Sequence, residues 1–405
     1  MAQRAHRRRP APAAPVVAPI LPGATIGFLG GGQLGRMTAF AARSMGYDVH
    51  VLDPDPTAPA RAVATRFIEA PFDDADAIVR LAEGCAVLMP EIETIAADGM
   101  ARAIAHAPVR PGAQVLRIIQ DRARQKEWLA DHRFPLTPFV VVRDDADCAR
   151  AGLLHGRCFV KSATGGYDGR GQVRTDSPAG VRSAWESLGR RPAVVEQGVE
   201  IAMELSVMVA RSPSGAIATY PPAVNHHVDG ILAWSVIPGV ADLELARRAR
   251  DLAASIAEAL GVEGLLCAEM FLSRSGELLV NELAPRPHNS YHESIEGCVT
   301  SQFEQAVRAI CDLPLGDTAS LRPAAIANLL GELWPADELP GFAATLALPM
   351  TKLHLYGKRS ARAGRKMGHL AATADTPQMA VQRAVTARNA LADAAGVPRW
   401  DATLS

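Results

Sequence analysis

Cysteine is scarce and scattered in this sequence. Its six cysteines lie at positions 85, 148, 158, 267, 298 and 311 of 405 residues, with no CxxC pair and no cluster of histidine and cysteine. Structural zinc sites and disulfide frameworks need closer spacings, so the pattern argues against both. It is typical of a protein in a reducing compartment and predicts a cytoplasmic location.

Long apolar runs and an excess of one charge are also missing. No apolar run reaches the ~18 residues that a membrane-spanning helix needs. The net charge is −1, without the basic surplus of proteins that bind nucleic acid or membrane surfaces. The first twenty residues lack the apolar core of a secretory signal, and their prolines disfavour a transit helix. We therefore expect no nucleic-acid or membrane partner, and a disordered tail over residues 1–22.

Near its start the chain contains a βαβ pattern. Residues 25–53 predict a strand, a glycine-rich turn, a helix and a second strand that ends at Asp53. The turn matches the G-x-G-x-x-G motif of dinucleotide-binding proteins at Gly30, Gly32 and Gly35. Two other interpretations stay open. The turn could bind the phosphate of a sugar-phosphate substrate, with Gln33 adding an amide, or it could be purely structural.

The next predicted strand, residues 85–89, ends beside two acidic residues, Glu91 and Glu93. Ligands bind at the carboxyl ends of strands in open α/β sheets. Either carboxylate could therefore accept hydrogen bonds from ribose hydroxyls. The alternative is an acidic helix start that interacts favourably with the helix dipole.

A glycine-rich loop in the middle of the chain indicates a nucleotide site. A predicted strand ends at Lys161 and is followed by residues 162–172, which are rich in glycine, and by another strand. Such a backbone can approach phosphate closely, but the GK[ST] ending of a Walker A loop is absent. The pattern is typical of a flap over a nucleotide, with Lys161 as the phosphate-facing cation. A plain glycine-rich hairpin is the alternative.

Two carboxylates and a histidine further along fit the same kind of site. Glu196 ends an apolar strand and Glu204 enters the next one. A strand-end backbone can contact adenine, and a nearby carboxylate can hold ribose, although acidic residues are common at strand ends. His227 lies in a polar turn, where a hydrogen-bonding role is favoured over a metal.

Residues 264–283 predict a hairpin with Glu269 on one strand and Glu282 on the other. Side chains alternate along strands, so a two- or four-residue loop places both carboxylates on one face, at a diagonal offset of about 7–8 Å. Oxygen ligands of this kind suit Mg²⁺ bound together with nucleotide phosphates. The alternative is two partly exposed glutamates on an edge hairpin.

This hairpin runs into residues 281–290, NELAPRPHNS, which combine many polar groups with two stiffening prolines. The segment presents a guanidinium, an imidazole and an amide in a set order: Arg286, His288 and Asn289. This order predicts a site that handles a metal and an anion. Basic groups within residues 351–358 and 364–369 indicate either an anion clamp at the other end of that site or a solvated basic rim.

Taken together, seven segments in order resemble the N5-carboxyaminoimidazole ribonucleotide synthetase family of ATP-grasp ligases: GGGQLGRM, VKSATGGYDGRGQ, VEQGVEIAMELS, NELAPRPHNS, SQFEQAVRAI, HLYGK and GRKMGHL. The resemblance covers residue 25 to about residue 370. It implies a fold of α/β and α+β class. Its parts would be a Rossmann-like pre-ATP-grasp domain (23–115), an ATP-grasp domain (116–315) and a small C-terminal domain (316–405). Residues 116–200 would include the lobe with the glycine-rich flap, and the loop at 30–35 would not bind NAD.

The resemblance also assigns roles to individual residues. It implies ATP contacts by Arg122, Lys161, Gly166, Tyr167, Asp168, Gly169, Arg170, Gly171, Gln172, Glu196, Gln197, Gly198, Val199, Glu204, His227, Asn281 and Glu282. It implies Mg²⁺ ligation by Glu269 and Glu282. Positions near the ribonucleotide are Gln33, Leu34, Glu93, Tyr167, Asp168, Arg286, His288, Asn289, Lys358 and Arg365. Arg286, Lys161 and Asp168 are expected to act in catalysis.

The implied reaction is the ATP-dependent carboxylation of aminoimidazole ribonucleotide with bicarbonate in purine biosynthesis, and the family suggests a homodimer. ATP would convert bicarbonate to carboxyphosphate while Mg²⁺ and Lys161 offset charge. Arg286 would hold bicarbonate, and carboxyphosphate, or CO₂ released from it, would carboxylate the exocyclic amine. Two alternatives are an NAD-dependent dehydrogenase, which leaves Lys161 and the paired glutamates unexplained, and a nucleotide-binding relative without catalysis.

Two departures from the family pattern concern the substrate side. The family usually has NSGH where this chain has NSYH, so Tyr291 replaces a glycine. If that position needs a positive φ, tyrosine would strain the turn. The segment around Glu91, MPEIET, also lacks the usual threonine-tyrosine lead.

Overall fold

The structure is a computed structural model that describes residues 18–165, 171–334 and 338–404. Residues 1–17 of the predicted tail and residues 166–170 of the predicted flap lie outside this part of the chain. None of the helices in the described part combines the length and apolar character that a bilayer crossing requires. All six cysteines lie in described segments, and each is a free thiol.

A parallel sheet forms the first part of the chain. Its strands are β1 (Thr25–Leu29), β2 (Asp48–Asp53), β3 (Arg66–Glu69) and β4 (Val87–Pro90), in the order β3-β2-β1-β4. The helices are α1 (Gln33–Ser44), α2 (Ala75–Ala82), α3 (Ala97–Ala103) and α4 (Ala113–Ile119). The predicted βαβ unit is confirmed, and its central strands β1 and β4 are almost fully buried because helices cover the sheet.

Gly27 shows how closely the first strand packs. A Cβ atom at this position would lie 2.3 Å from Leu88 Cδ2 on the neighbouring strand β4. Phe28 and Ile26 on β1 are fully buried. The sheet is therefore rigid at the point where it leads into the glycine-rich turn.

A separate antiparallel sheet follows. It contains β5 (Phe139–Val142), β6 (Cys158–Ser162), β7 (Gln172–Thr175) and β8 (Ala193–Gln197), in the order β5-β8-β6-β7. The helices of this part are α5 (Arg122–Asp131), α6 (Asp145–Ala151) and α7 (Val181–Ser187). Asp121 and Asp144 cap α5 and α6 by accepting hydrogen bonds from first-turn N–H groups. Because β6 lies between β7 and β8, Lys161 and Glu196 come to lie on neighbouring strands.

A large antiparallel sheet makes up the rest of the molecule. Its strands are β9 (Ile201–Arg211), β10 (Ile217–Thr219), β11 (Ala223–Val228), β12 (Ile231–Ile237), β13 (Gly264–Ser273), β14 (Leu278–Ala284), β15 (Ala324–Leu330), β16 (Thr351–Leu355) and β17 (Lys366–Thr373). The order is β14-β13-β9-β11-β12-β15-β17-β16, with β10 beside β9. The helices are α8 (Leu243–Leu260), α9 (Ser294–Gly297), α10 (Gln302–Ile310), α11 (Phe342–Leu346) and α12 (Pro377–Ala395).

Two cores hold this large sheet between other layers. On one face α8 and α12 pack against it through small side chains such as Ala253 and Ala384. On the other face, one continuous apolar cluster joins the parallel sheet to β9 and α10, and it includes Phe28, Met208 and Val307. Strand β12 pairs with β15, so the sheet continues across residue 315, where we predict a domain border. The domain borders themselves stay a prediction.

Candidate active site

A small cavity lies between the second sheet and the large sheet. It is lined by Arg122, Gln125, Lys126, Lys161, Glu196, Asn281 and Glu282. Five of these residues are among the predicted ATP contacts. The cavity carries three cationic and two anionic side chains, which is the composition expected of a site that binds phosphate together with a cation.

Glu196 joins two lysines at one wall of the cavity. Lys161 Nζ lies 2.7 Å from Glu196 Oε2, and Lys126 Nζ lies 3.0 Å from Glu196 Oε1. Burial by itself would raise the pKa of Glu196, but the two ammonium groups lower it to about 2. Burial lowers the pKa of Lys126. The carboxylate is therefore ionised at neutral pH, and it holds Lys161 in place at the cavity wall.

Sequence reasoning missed Lys126 and Gln125. Lys126 is only 3% exposed, and Gln125 accepts a hydrogen bond from the Leu283 N–H group at 3.1 Å. Lys126 lies four residues after Arg122 on α5, hence on the same helical face. That spacing was the available signal, since a cation one turn beyond a predicted phosphate ligand faces the same site.

Glu269 and Glu282 meet across the hairpin of β13 and β14. The two residues are direct cross-strand partners, next to a bulge at Glu269 and Met270. Both carboxylates share one face, as predicted, but the predicted loop parity and the diagonal offset were wrong. Leu272 pairs with Leu278, a register that would place Asn281 opposite Glu269, and the bulge shifts it by one residue so that Glu282 lies there instead. Arg122 Nη2 lies 3.8 Å from Glu282 Oε1. Partial burial raises the pKa of Glu282, although the positive charge of Arg122 lowers it.

His288 binds the other carboxylate of this pair. Its Nε2 atom lies 3.0 Å from Glu269 Oε1, and its Nδ1 atom lies 2.8 Å from Ser290 Oγ. Burial would lower the pKa of His288, but the neighbouring Cys267 and the Glu269 carboxylate raise it to about 10. Burial would likewise raise the pKa of Glu269, but the hydrogen bond and charge of His288 lower it to about 2. At neutral pH the two groups form an ion pair.

This ion pair predicts a specific pH dependence of stability. The raised pKa of His288 contributes stability that is present below pH 6.5 and lost as the pH rises towards 10. The lowered pKa of Glu269 contributes stability that is present above pH 4.5 and lost as the pH falls towards 2. The difference in the free energy of unfolding between wild type and H288Q, measured in urea, should therefore decrease as the pH is raised from 6.5 towards 10.

The control for this measurement is H132Q. His132 is exposed, and its ring contacts the backbone carbonyl of Trp128 rather than a carboxylate. The H132Q difference reports the loss of an imidazole that has no carboxylate partner among the described residues, and the H288Q difference should change more with pH. Equal pH dependence for the two variants would contradict the ion pair.

Arg286 reaches from the large sheet to the parallel sheet. Its Nε atom donates to Glu93 Oε1 at 2.7 Å, although 193 residues separate the two positions. The next predicted substrate residue, Asn289, forms a reciprocal amide pair with Asn328 at 3.1 Å in both directions. Residues 286–289 are thus held by Glu93 at one end and by Asn328 at the other, and Glu93 lies at the same site as Arg286.

One of the predicted basic C-terminal residues, Lys358, lies beside the start of α1. Lys358 Nζ donates to Gln33 Oε1 at 2.6 Å, while Arg365 donates to the carbonyl and hydroxyl oxygens of Ser360 at 2.8 and 2.9 Å. Leu34 is buried and belongs to an apolar cluster with Phe303 and Tyr356. Gln33, Leu34 and Lys358 are therefore neighbours, as a clamp at one end of the site requires.

The glycine-rich turn is occupied by carboxylates of the protein itself. Glu91 accepts hydrogen bonds from the N–H groups of Gly32 and Gly35, each at 2.7 Å, and Asp53 accepts one from Gly31 at 2.7 Å. Burial raises the pKa of Glu91 to about 7, against these hydrogen bonds and the charge of Arg286. The interpretation of Glu91 as a ribose ligand was wrong, because both of its oxygens bind the turn.

This arrangement decides among the three interpretations of the turn. A phosphate at the start of α1 would need the N–H groups that Glu91 and Asp53 already bind. A Cβ atom at Gly32 would lie 2.8 Å from Glu91 Oε1, so the glycine is required by the close carboxylate. The turn is structural, and it positions Gln33 at the first residue of α1.

The remaining predicted ATP contacts lie around β7, β8 and β11. His227 Nδ1 lies 2.5 Å from Glu204 Oε2, which confirms a hydrogen-bonding role for this histidine. Burial would lower the pKa of His227, but Glu204 raises it. Other predicted contacts take part in backbone pairing or lie in the loop after β8: Gly171, Gln172, Gln197, Gly198 and Val199. The predicted contacts Gly166, Tyr167, Asp168, Gly169 and Arg170 lie outside the described residues.

Tyr291 is accommodated without strain. It ends a short 3-10 helix, Asn289–Tyr291, so its φ is negative and the predicted strain was wrong. Its side chain is fully buried, and its hydroxyl lies 2.8 Å from the carbonyl oxygen of Ser206 and 2.9 Å from that of Pro221. Burial raises the pKa of Tyr291 well above its ordinary value. The ring fills the core behind the substrate loop and does not enter the site.

Three family models match successive parts of the chain. They are the ribonucleotide synthetase preATP-grasp domain at residues 23–120, the ATP-grasp domain at residues 127–303, and the phosphoribosylaminoimidazole carboxylase C-terminal domain at residues 324–383. Together they span the parallel sheet, the second sheet and most of the large sheet.

Relatives with known names cover most of the chain. The N5-carboxyaminoimidazole ribonucleotide synthase of Bacillus subtilis (strain 168) is 41% identical over 353 residues, which are 87% of this chain and 92% of the relative. A crystal structure of an N5-carboxyaminoimidazole ribonucleotide synthetase with ADP has a TM-score of 0.87 at 38% identity, over 94% of this chain and 100% of the other. The Aspergillus clavatus synthase with ADP and 5-aminoimidazole ribonucleotide has a TM-score of 0.83 at 31% identity, over 92% and 98% of the two chains.

Proposed function

The chain belongs to the N5-carboxyaminoimidazole ribonucleotide synthase family of ATP-grasp ligases, and from this premise we propose how its residues divide the reaction between them. The protein uses ATP to convert aminoimidazole ribonucleotide and bicarbonate to N5-carboxyaminoimidazole ribonucleotide. One observation carries the proposal. Residues 281–290 connect the carboxylate pair of the nucleotide cavity to Arg286 and His288, so the two half-reactions meet in a single segment.

ATP would lie in the cavity bordered by Arg122, Lys161 and Glu196. Lys161 would leave Glu196 to contact a phosphate, and Lys126 would remain as the partner of Glu196. Arg122 lies at the other wall, near Glu282, where it would neutralise phosphate charge. In phosphoryl transfer this kind of positioning and charge compensation supplies most of the catalytic effect.

Glu269 and Glu282 fit the requirements of Mg²⁺. In the described part of the chain, no group of three or more His, Cys, Asp or Glu side chains is arranged to hold a metal by itself. Mg²⁺ typically binds through one or two carboxylates and completes its shell with phosphate and water oxygens. When bound, it would offset negative charge on the transferring phosphoryl group. The ion pair with His288 keeps Glu269 ionised for this role.

Arg286 would hold bicarbonate and then carboxyphosphate. Its Nε atom is bound to Glu93, and its Nη1 atom donates to the carbonyl of Pro287 at 3.1 Å. These two contacts orient the guanidinium plane, and its further N–H groups would bind the anion. A planar fork of N–H donors matches a carboxylate or phosphate in two contacts. The arginine thus lies between the carboxylate pair and the parallel sheet, where the intermediate would pass from ATP to the amine.

The ribonucleotide would lie between the start of α1 and residues 286–289. Lys358 and Arg365 would contact its phosphate, and Gln33 would change partner from Lys358 to the substrate. His288, protonated at neutral pH, would donate to an anionic oxygen of the intermediate only if it released Glu269 or Ser290. A role for Asp168 in orienting the amine stays a proposal, as do the homodimer and the cytoplasmic location.

The direct test is ADP release from Mg-ATP with aminoimidazole ribonucleotide and bicarbonate. We expect ADP release to depend on the ribonucleotide and to be accompanied by the carboxylated product. Leaving out bicarbonate is the matched control. Well-folded protein that releases no ribonucleotide-dependent ADP would contradict the proposed function.

A further inference from the structure

Gln302 binds the backbone of His288, within the segment 286–289 that would contact the ribonucleotide. It is fully buried at the first residue of α10, after the N-cap Ser301. Its Oε1 atom accepts the N–H of His288 at 2.8 Å, and its Nε2 atom donates to the carbonyl of His288 at 2.8 Å. The same Nε2 atom lies 3.0 Å from Nδ1 of His292. One amide therefore satisfies both backbone groups of His288, as a neighbouring strand would.

His288 is the residue whose position this contact sets. Its ring bridges Glu269 and Ser290, and its backbone follows Arg286 by two residues. The segment lies outside the strands, since β14 ends at Ala284. Without a neighbouring strand, its two backbone hydrogen bonds depend on a side chain. An amide accepts through its oxygen and donates through its nitrogen at the same time, which fits the N–H and carbonyl groups of a single residue.

We propose that Gln302 is a positioning residue for carboxyl transfer, acting through His288. It fixes the distance between the Glu269–His288 pair, where ATP would react, and Arg286, where the intermediate would be held. The inference rests on the proposed function. A displaced His288 would leave ATP binding in the absence of Mg²⁺ intact, because no atom of Gln302 contacts the residues that line the nucleotide cavity among the contacts of the described chain. It would slow transfer of the carboxyl group to the amine.

Q302E is the informative variant because it keeps shape and removes a donor. A carboxylate facing the carbonyl of His288 replaces attraction by repulsion. We expect the rate of N5-carboxyaminoimidazole ribonucleotide formation to fall by about 10- to 100-fold, as for a small misplacement of reacting groups. The dissociation constant of ATP measured without Mg²⁺ should stay within about twofold of wild type, because a positioning defect lowers the rate of the chemical step without changing ground-state nucleotide binding.

Gln305 provides a matched control on the same helix. It is also fully buried, and its amide also binds one backbone residue twice, with Gly316 O at 2.9 Å and Gly316 N at 2.8 Å. Q305E therefore introduces the same chemical change and a similar structural cost without touching His288. It should lose stability in urea as Q302E does and keep the wild-type rate of product formation.

A pH profile separates positioning from general damage. Protonation of the new carboxyl in Q302E restores an O–H donor, and burial raises the pKa of such a group. The ratio of Q302E to wild-type rates should therefore rise from about pH 8 to about pH 6, whereas the ratio for Q305E should stay flat. If Q302E does not fold, Q302A carries the same test, because it removes the clamp without burying a charge.

The outcomes distinguish this inference from the proposed function. Wild type that makes no product contradicts the proposed function. Active wild type with equal rates for Q302E and Q305E, or a fully active Q302A, overturns the role of Gln302. An affinity of Q302E for ATP that falls by the same factor as its rate of product formation would also overturn it, since the residue would then act on the whole site.

Discussion

Replacing Glu282 with glutamine should lower the rate of ADP formation by about 100- to 1000-fold, the usual cost of removing one charged group that stabilises a transition state. Glu282 faces Glu269 across the hairpin, and 48% of its side chain is exposed at the cavity. The amide keeps the volume but removes the negative charge that would bind Mg²⁺. The measurement is ADP release at increasing Mg²⁺ concentration, and the concentration for half-maximal rate should rise.

The fold should tolerate this change. Glu282 is open to the cavity, so glutamine leaves no charge buried without a partner, and the cost in stability should be small. E277Q is the control, because Glu277 precedes β14 on the same hairpin, is exposed and contacts Ser275. E277Q should turn over as wild type does. Unchanged turnover in folded E282Q would show that Glu282 is not a ligand of Mg²⁺.

Replacing Arg286 with lysine should reduce product formation by about 100-fold although the positive charge is kept, because preorganised donors are worth that much in a closed site. Arginine binds Glu93 through Nε and retains further N–H donors for an anion. A lysine ammonium is a point charge and cannot hold Glu93 and a planar anion in one fixed plane. The apparent KM for bicarbonate should rise, whereas the affinity for ATP should change little.

R274K is the control for this substitution. Arg274 is exposed in the turn before β14, and its backbone N–H binds the carbonyl of Glu200. Conversion to lysine there should leave bicarbonate dependence unchanged. If R286K kept the wild-type KM for bicarbonate and the wild-type rate, another residue would hold the anion.

The chemistry of the site could be predicted because it resides in short, ordered segments. Glu269 and Glu282 are separated by one turn, and strand periodicity predicted that they share a face. That outcome depends on the bulge, because the register at Leu272 and Leu278 alone would have placed Asn281 opposite Glu269. Residues 281–290 form a short segment that begins in strand β14, so the order of their polar groups along the chain is also their order in space. The resemblance to the ligase family rests on the same segments, and the family comparisons confirm it. The bulge that sets the exact register left no signal in the sequence.

The missed contacts are those between distant residues. Gln302 meets His288 across 14 positions, Glu91 meets Gly32 across 59, and Arg286 meets Glu93 across 193. Composition and periodicity describe only neighbours along the chain. They cannot specify which polar group a buried amide or carboxylate will face after the layers pack. For this reason the sequence left open whether Glu91 or Glu93 contacts ribose.

The sequence by itself determined the reaction class, the carboxylate pair and the order of groups from Glu282 to Asn289, because each depends on residue type and local spacing. Only the tertiary structure decided how the glycine turn is used and whether Tyr291 is strained. The turn's N–H groups bind the carboxylates of Glu91 and Asp53, and Tyr291 lies in a 3-10 helix with its ring in the core. Both outcomes depend on packing between sheets, which brings together groups that are far apart in the chain.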